Sequence, residues 1–276
     1  MMKVWQVSLG LLMTLALLVN AFTTAEAQES DSDLAKKAQN PVADLISIPL
    51  QNNMGFGIGP NNRTRNDLNL QPVVPINLNS EWNLITRTIL PIVKQPTLST
   101  TSDDTWGIGN TSFSAFFSPA KSTGLIWGAG PIVEFPTITD DRLGTRKWSA
   151  GPTAVVLTTH GPWVFGILGS QIWSFAGSSD NPNVSRFLTQ YFVNYNFGEG
   201  WYLSSAPIIT ANWQAPGSNK WTVPVGGGVG KVFRIGQLPF NANLGYYAHV
   251  IRPDPSADAV VRFQIALLLP KSIFSH

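Results

Sequence analysis

Cysteine is absent from the 276-residue chain. That excludes a disulfide framework, thiolate chemistry and any Cys-ligated metal. Charge is scarce: Asp, Glu, Lys and Arg make up 12% of the residues, about half the roughly 25% usual in soluble domains. The formal net charge is only +2 and no Lys/Arg run occurs, so no nucleic-acid partner is expected. The histidines are His160, His249 and His276, and neither His-Glu-x-x-His nor Gly-x-Ser-x-Gly is present. Gly226 to Lys231 fails as a phosphate loop, because Val225 and Val232 stand where Gly and Ser or Thr are required. After residue 28 no apolar run approaches the roughly 20 residues of a membrane helix, although mean hydropathy is +0.06.

Glycine (24), proline (20), tryptophan (10) and phenylalanine (15) are plentiful. A weakly charged, aromatic-rich chain without helical spans suits a transmembrane β-barrel, where strand-to-strand bonds leave no backbone group unpaired in hydrocarbon. The N-terminus agrees. Lys3, an apolar stretch over 7–21 and the small-x-small site Ala25-Glu26-Ala27 form a signal peptide over 1–27. The predicted plan continues with a periplasmic N-terminal tail over 28–41, a barrel over 42–270 and a C-terminal tail over 271–276. Within the tail a turn or two of helix starts near Ser32; a plug inside the lumen is the lesser alternative.

The segment from Arg186 to Phe197 shows the pattern best. Phe187, Thr189, Tyr191, Val193, Tyr195 and Phe197 lie on one face; Arg186, Gln190, Asn194 and Asn196 lie on the other. About twelve residues exceeds an ordinary strand of roughly five or six and matches the roughly 9–11 of a tilted membrane-crossing strand. Twelve such segments follow one another: 44–58, 67–78, 81–94, 105–117, 123–136, 146–158, 162–175, 185–197, 201–213, 221–233, 238–251 and 258–269. The predicted fold is all-β, an antiparallel up-and-down barrel of about twelve strands. Connections after even-numbered segments are short, as at Asn79-Ser80 and Gly198-Glu199-Gly200; those after odd ones are longer, as over 95–104 and 137–145. Outer-membrane barrels have short periplasmic turns and longer outside loops, which puts both termini in the periplasm.

Tryptophan forms two sets. Trp82, Trp163 and Trp201 open strands at the short-turn end, with Trp127 a little further in. Trp106, Trp148, Trp173, Trp213 and Trp221 sit near the long-loop end. Indole favours the headgroup level, so these nine are expected as membrane-interface girdles.

The face opposite the apolar one predicts the lumen. It carries Gln51, Asn53, Asn69, Gln71, Asn83 and Arg87 in the first third of the chain. Arg186, Gln190, Asn194, Asn241, Asn243, His249, Arg262 and Gln264 follow. Facing over 107–117 and 163–175 is ambiguous. Inward guanidinium groups need partners or water, which suggests a wet interior or an internal polar network; amides with few acids predict weak ion selectivity with a slight anion preference. In the long loops, Asp103-Asp104 and Asp140-Asp141, with Arg142, Arg146 and Lys147, could hold Ca²⁺ and phosphate of lipopolysaccharide; solvated loop tips are the plainer reading.

Several stretches resemble a family of bacterial outer-membrane transporters related to the meta-pathway phenol-degradation barrel. They are residues 40–47, 82–91, 106–121, 125–131, 136–148, 150–157 and 171–177, including Trp106-Gly107-Ile108-Gly109-Asn110 and Ala150-Gly151-Pro152. The resemblance implies an outer-membrane barrel with a transport role for small apolar or aromatic compounds, and brings no catalytic motif. The expected function is a channel for passive passage of small solutes. Alternatives are a non-conducting structural barrel and, third, a lipid-active enzyme, which would need Ser beside His on the lipid face. No catalytic residue, metal or cofactor is expected; partners are outer-membrane lipid, lipopolysaccharide, the assembly machinery and the solute.

Overall fold

The computed structural model describes residues 30–98, 103–122 and 124–269. The expected signal peptide, its cleavage point and the C-terminal tail lie outside the described residues. One helix, α1 (Asp31–Ala38), precedes the sheet. The strands are β1 (Ile46–Ile58), β2 (Arg63–Leu70), β3 (Val73–Asn77), β4 (Trp82–Gln95), β5 (Thr105–Ile108) and β6 (Thr111–Pro119). Next come β7 (Leu125–Phe135), β8 (Trp148–His160), β9 (Trp163–Ala176), β10 (Ser185–Gly198), β11 (Trp201–Ser205) and β12 (Ile208–Asn212). Last are β13 (Trp221–Ile235), β14 (Leu238–Ile251) and β15 (Ala259–Leu269).

With β2/β3, β5/β6 and β11/β12 each taken as one stave, every stave pairs antiparallel with its neighbours in sequence, and β15 returns to pair with β1, Ile46 opposite Leu269. The sheet is a closed antiparallel barrel of twelve staves. Closure leaves no sheet edge to template aggregation or face lipid unpaired. Three staves predicted as continuous are broken in two, β2/β3, β5/β6 and β11/β12. Pro72 and Pro207 lack the N–H a ladder needs and account for two breaks. At the third, Asn110 is diverted: its side-chain nitrogen donates to the carbonyls of Phe135 (3.1 Å) and Thr145 (2.8 Å), and its Oδ1 accepts from the Thr145 amide (2.7 Å).

Greasy side chains point out. Leu203, Leu244 and Tyr246 are 53%, 53% and 56% exposed, while Gln51, Asn194, Asn241 and Arg262 are buried inside. A soluble sandwich would show the reverse arrangement. The first sheet strand begins, and the last ends, at the short-turn end.

The segment expected as a tail is instead seated in that end of the lumen. Ser30 caps α1 by accepting from the Asp33 amide (3.1 Å), Asp31 and Asp33 occupy the first turn, and Lys36 and Lys37 the last, all in the sense the helix dipole favours. Pro41 follows the helix, and the Asn40 side chain holds the Val42 amide at 3.0 Å. Leu34 and Ala35 are buried against Tyr202, Val232, Ala266 and Leu268 of the wall. The apolar residues of the helix have no other surface to cover, and this one is within reach.

Candidate functional site: the lumen

Two halves of the interior differ in kind. At the short-turn end, Val42 packs with Ile85, Phe116, Val155, Leu157, Val164 and Phe192 in an apolar cluster. Together with α1 this occupies the short-turn end of the lumen. Gly230 is required beside it: a Cβ there would lie 2.2 Å from Cζ of Tyr202, whose hydroxyl donates to Asn241 at 2.8 Å. Polar contacts tie the inserted segment to the wall. Arg234 meets Asp31 at 3.0 Å, and Gln39 and Asn196 exchange amide hydrogen bonds of 2.8 and 3.3 Å.

Beyond the plug lies a cavity of about 410 Å³ whose lining mixes amides, arginines and serines with apolar side chains such as Ile89, Ile132 and Leu188. A second cavity, of about 350 Å³, lies under the 252–258 loop and shares Asn53 with the first. Arginines organise the main cavity. Arg262 reaches from β15 to the break in the β11/β12 stave, donating to Asn53 Oδ1 (3.0 Å) and to the Ala206 carbonyl (2.9 Å), with its guanidinium over Tyr247. Gln190 donates to the same carbonyl at 3.1 Å. Pro207 frees that carbonyl from the sheet, and two side chains satisfy it. Arg186 of β10 pairs with Glu134 of β7 across the chord spanned by β8 and β9, leaving Glu134 Oε1 buried without a hydrogen bond. Arg87 hydrogen-bonds Gln71 Oε1.

Of the residues read as lumen-lining, Gln51, Asn53, Asn69, Gln71, Arg87 and Arg186 border the main cavity, as do Gln190, Asn194, Asn241, Asn243, Arg262 and Gln264. Asn83 does not: it faces inward at the short-turn end, with Oδ1 buried and unpartnered. His249 lines the second cavity and donates from Nδ1 to the Ala257 carbonyl at 2.7 Å. It faces away from lipid, and no serine hydroxyl bonds it among the described residues. Ser256, in the same cavity, donates its hydroxyl to Pro253. Glu134, Tyr202, Tyr247 and the Arg65–Asp67 pair were missed. A glutamate between Val133 and Phe135 on one strand had only one tolerable direction, and that alternation was the available signal.

The tryptophans lie on the outer surface in two zones. At the short-turn end Trp82 meets Trp127 edge-on at 5.9 Å, Trp163 packs on Tyr195 at 4.7 Å, and Lys231 sits over Trp201 at 4.7 Å. At the long-loop end Trp213 and Trp221 meet at 5.4 Å, Trp148 packs on Phe135, Lys94 sits over Trp106, and Trp173 is 50% exposed.

The loop acids are taken by neighbouring bases rather than grouped for a cation. Asp104 binds Lys94 (3.0 Å) and Arg63, Asp140 binds Arg142 (3.0 Å), and Asp141 binds Arg146. Lys147 is buried. Hydrogen bonds from Lys94, then Arg63, then the Thr97 amide hold the Asp104 carboxyl at about 2. Arg142 does the same for Asp140, also about 2. No cluster of three or more metal-ligating side chains occurs among the described residues.

No family model and no curated protein matches the chain, so the meta-pathway relationship rests on the short motifs alone. Solved structures do match. An outer-membrane channel from Pseudomonas putida F1 is similar with a TM-score of 0.63 and 17% identity, over 82% of this chain and 94% of that one. The NanC porin is similar with a TM-score of 0.50 and 9% identity, over 80% of this chain and 98% of that one. At such identities the likeness establishes the fold: this chain is built as outer-membrane β-barrels are.

Proposed function

We propose that the protein is an outer-membrane channel for passive passage of small solutes, with apolar or aromatic compounds as the class its motifs suggest. Export by a cleaved signal, periplasmic termini, girdling tryptophans and contact with lipopolysaccharide belong to the same reading. The observation that carries it is the contrast between a greasy outer wall and a hollow interior lined by amides and arginine. A wall satisfied by lipid outside and water inside suits a conduit. The likeness in fold to an outer-membrane channel supports the reading without naming a solute.

In this reading the N-terminal segment gates the short-turn end, held by an apolar contact and by polar ties that include Asp31–Arg234 and Gln39–Asn196. The same segment favours a second reading, a permanently sealed structural barrel. Planar-bilayer recording on the purified mature chain, beside a form lacking residues 28–41, separates the two. A channel gives unitary currents that grow several-fold on removing the segment. Silence from both folded forms rules out conduction.

A further inference from the structure

The charges around the main cavity do not balance. Arg87, Arg186 and Arg262 line it, and Glu134 is the one carboxylate among the described lining residues. Glu134 is met by Arg186, and Arg262 is fixed between Asn53, Ala206 and Tyr247. Arg87 differs. It borders the main cavity as a half-buried residue, and its hydrogen bond goes to the neutral amide oxygen of Gln71. No carboxylate pairs with it among the described residues. A guanidinium carries five N–H donors in a planar fork suited to a carboxylate, and in a partly desolvated site its charge attracts one strongly.

The surroundings define what such an anion looks like. Ser114 is opposite Arg87 on the adjoining strand, and Ile132 is opposite Ser114 on the next. Two residues along, Ile89 is opposite Ser112. Both serine hydroxyls face the cavity and have no hydrogen-bond partner among the described residues. A forked cation, two free hydroxyls and two isoleucines therefore share one patch of wall. We infer that this patch is a binding subsite for a small monocarboxylate with an apolar body, the carboxylate on Arg87 and the serines, the body on Ile89 and Ile132. The volume of about 410 Å³ lies within the range of small-ligand pockets. The inference deepens the channel reading, on which it rests for the ligand's way in.

The probe pair is benzoate and benzamide, alike in shape and different in charge, measured by equilibrium dialysis against the refolded mature chain in detergent at low salt. Benzoate is expected to bind at least about ten-fold tighter, a charge-assisted contact in place of a neutral one. Arg87→Gln should bring benzoate down to the benzamide level, while Arg87→Lys keeps most of the preference. Heat-modifiable gel migration checks that each variant is folded, and the wild-type comparison decides even if a variant is not. Equal binding of the two probes, binding of neither, or a benzoate preference that survives Arg87→Gln in folded protein overturns the site. Bilayer recordings on the same preparation keep the two proposals apart. Conductance without benzoate preference removes the subsite alone; benzoate preference without conductance removes the channel alone.

Discussion

The two ends of the lumen are lined by the same strands and reached opposite outcomes. Toward the short turns, inward positions of β4, β6, β8 and β9 are Ile85, Phe116, Val155, Leu157 and Val164, and the space is filled by the chain's own N-terminal segment. Toward the long loops, inward positions add amides, arginines and serines to apolar residues such as Ile89, Ile132 and Leu188, and the space is hollow. The difference follows from solvation. An apolar inner wall facing water gains roughly 25 cal/mol for each Å² covered, so a segment carrying Leu34, Ala35 and Val42 settles on it. A polar wall is already satisfied by water and by its own hydrogen bonds, and offers such a segment nothing. One barrel can therefore combine a plug with a wet chamber.

The comparison can be broken most forcibly at Leu34. Leu34→Asp places an unpaired carboxylate among Tyr202, Val232 and Leu268 and should weaken the seat by about 4 kcal/mol. Limited proteolysis should then cut the N-terminal segment while the heat-modifiable barrel band persists; a segment still protected would contradict the role given to that cluster. A smaller effect is expected in the polar half. Arg262→Ala removes the tie between Asn53 and the Ala206 carbonyl and should cost about 2–3 kcal/mol in urea unfolding. Because Gln190 still serves that carbonyl, a change much above this would mean a wider network than the one described.

Asp31→Asn tests the polar tie of the plug. The Asp31–Arg234 pair is partly exposed, so its loss should be worth about 0.5–1 kcal/mol, seen as more frequent channel opening with the barrel unchanged. No change in opening would show that this pair takes no part in the latch. The smallest effect lies outside the wall. The Asp104 carboxyl is lowered from 3.8 to about 2 by Lys94, Arg63 and the Thr97 amide. A depressed acid stabilises the fold above its unfolded value and loses that contribution as pH falls through the folded one. The stability supplied by the Asp104 contacts, read by urea unfolding, should therefore persist down to about pH 4 and be lost toward pH 2. Asp104→Asn should remove that dependence.

How much of this could be read beforehand depended on which side of each strand met contrast. On β10, β14 and β15 the inner face carries amides and arginine among a few apolar residues and the outer one is largely aromatic or aliphatic, so alternation alone sorted Gln190, Asn194, Asn243 and Gln264 from Tyr191, Leu244 and Phe263. On β9 both faces are apolar, Val164 and Leu168 inward, Phe165 and Ile167 outward. The inward set packs where Val42 enters, a contact more than a hundred residues distant in sequence that no local period contains. A turn or two of helix near Ser32 was legible, and a plug in the lumen was the lesser alternative; the seat on Tyr202, Val232 and Leu268 was not legible, for the same reason. The broken staves were partly legible: Pro72 and Pro207 carry the signal openly, whereas the side-chain hydrogen bonds that divert Asn110 exist only once β7 and the 136–147 loop are in place.

Absence of native cysteine makes one measurement decisive for the alternation of lipid and water along a strand. Single cysteines introduced in turn from Gln190 to Tyr195 can be probed with a membrane-impermeant maleimide and, once carrying a fluorophore, with brominated lipid as quencher. Positions 191, 193 and 195 should be quenched by lipid and resist the maleimide, while 190, 192 and 194 show no quenching, with 190 and 194 the more reactive toward maleimide. Quenching at the even positions, or at none, would mean that this strand does not separate hydrocarbon from a hydrated lumen.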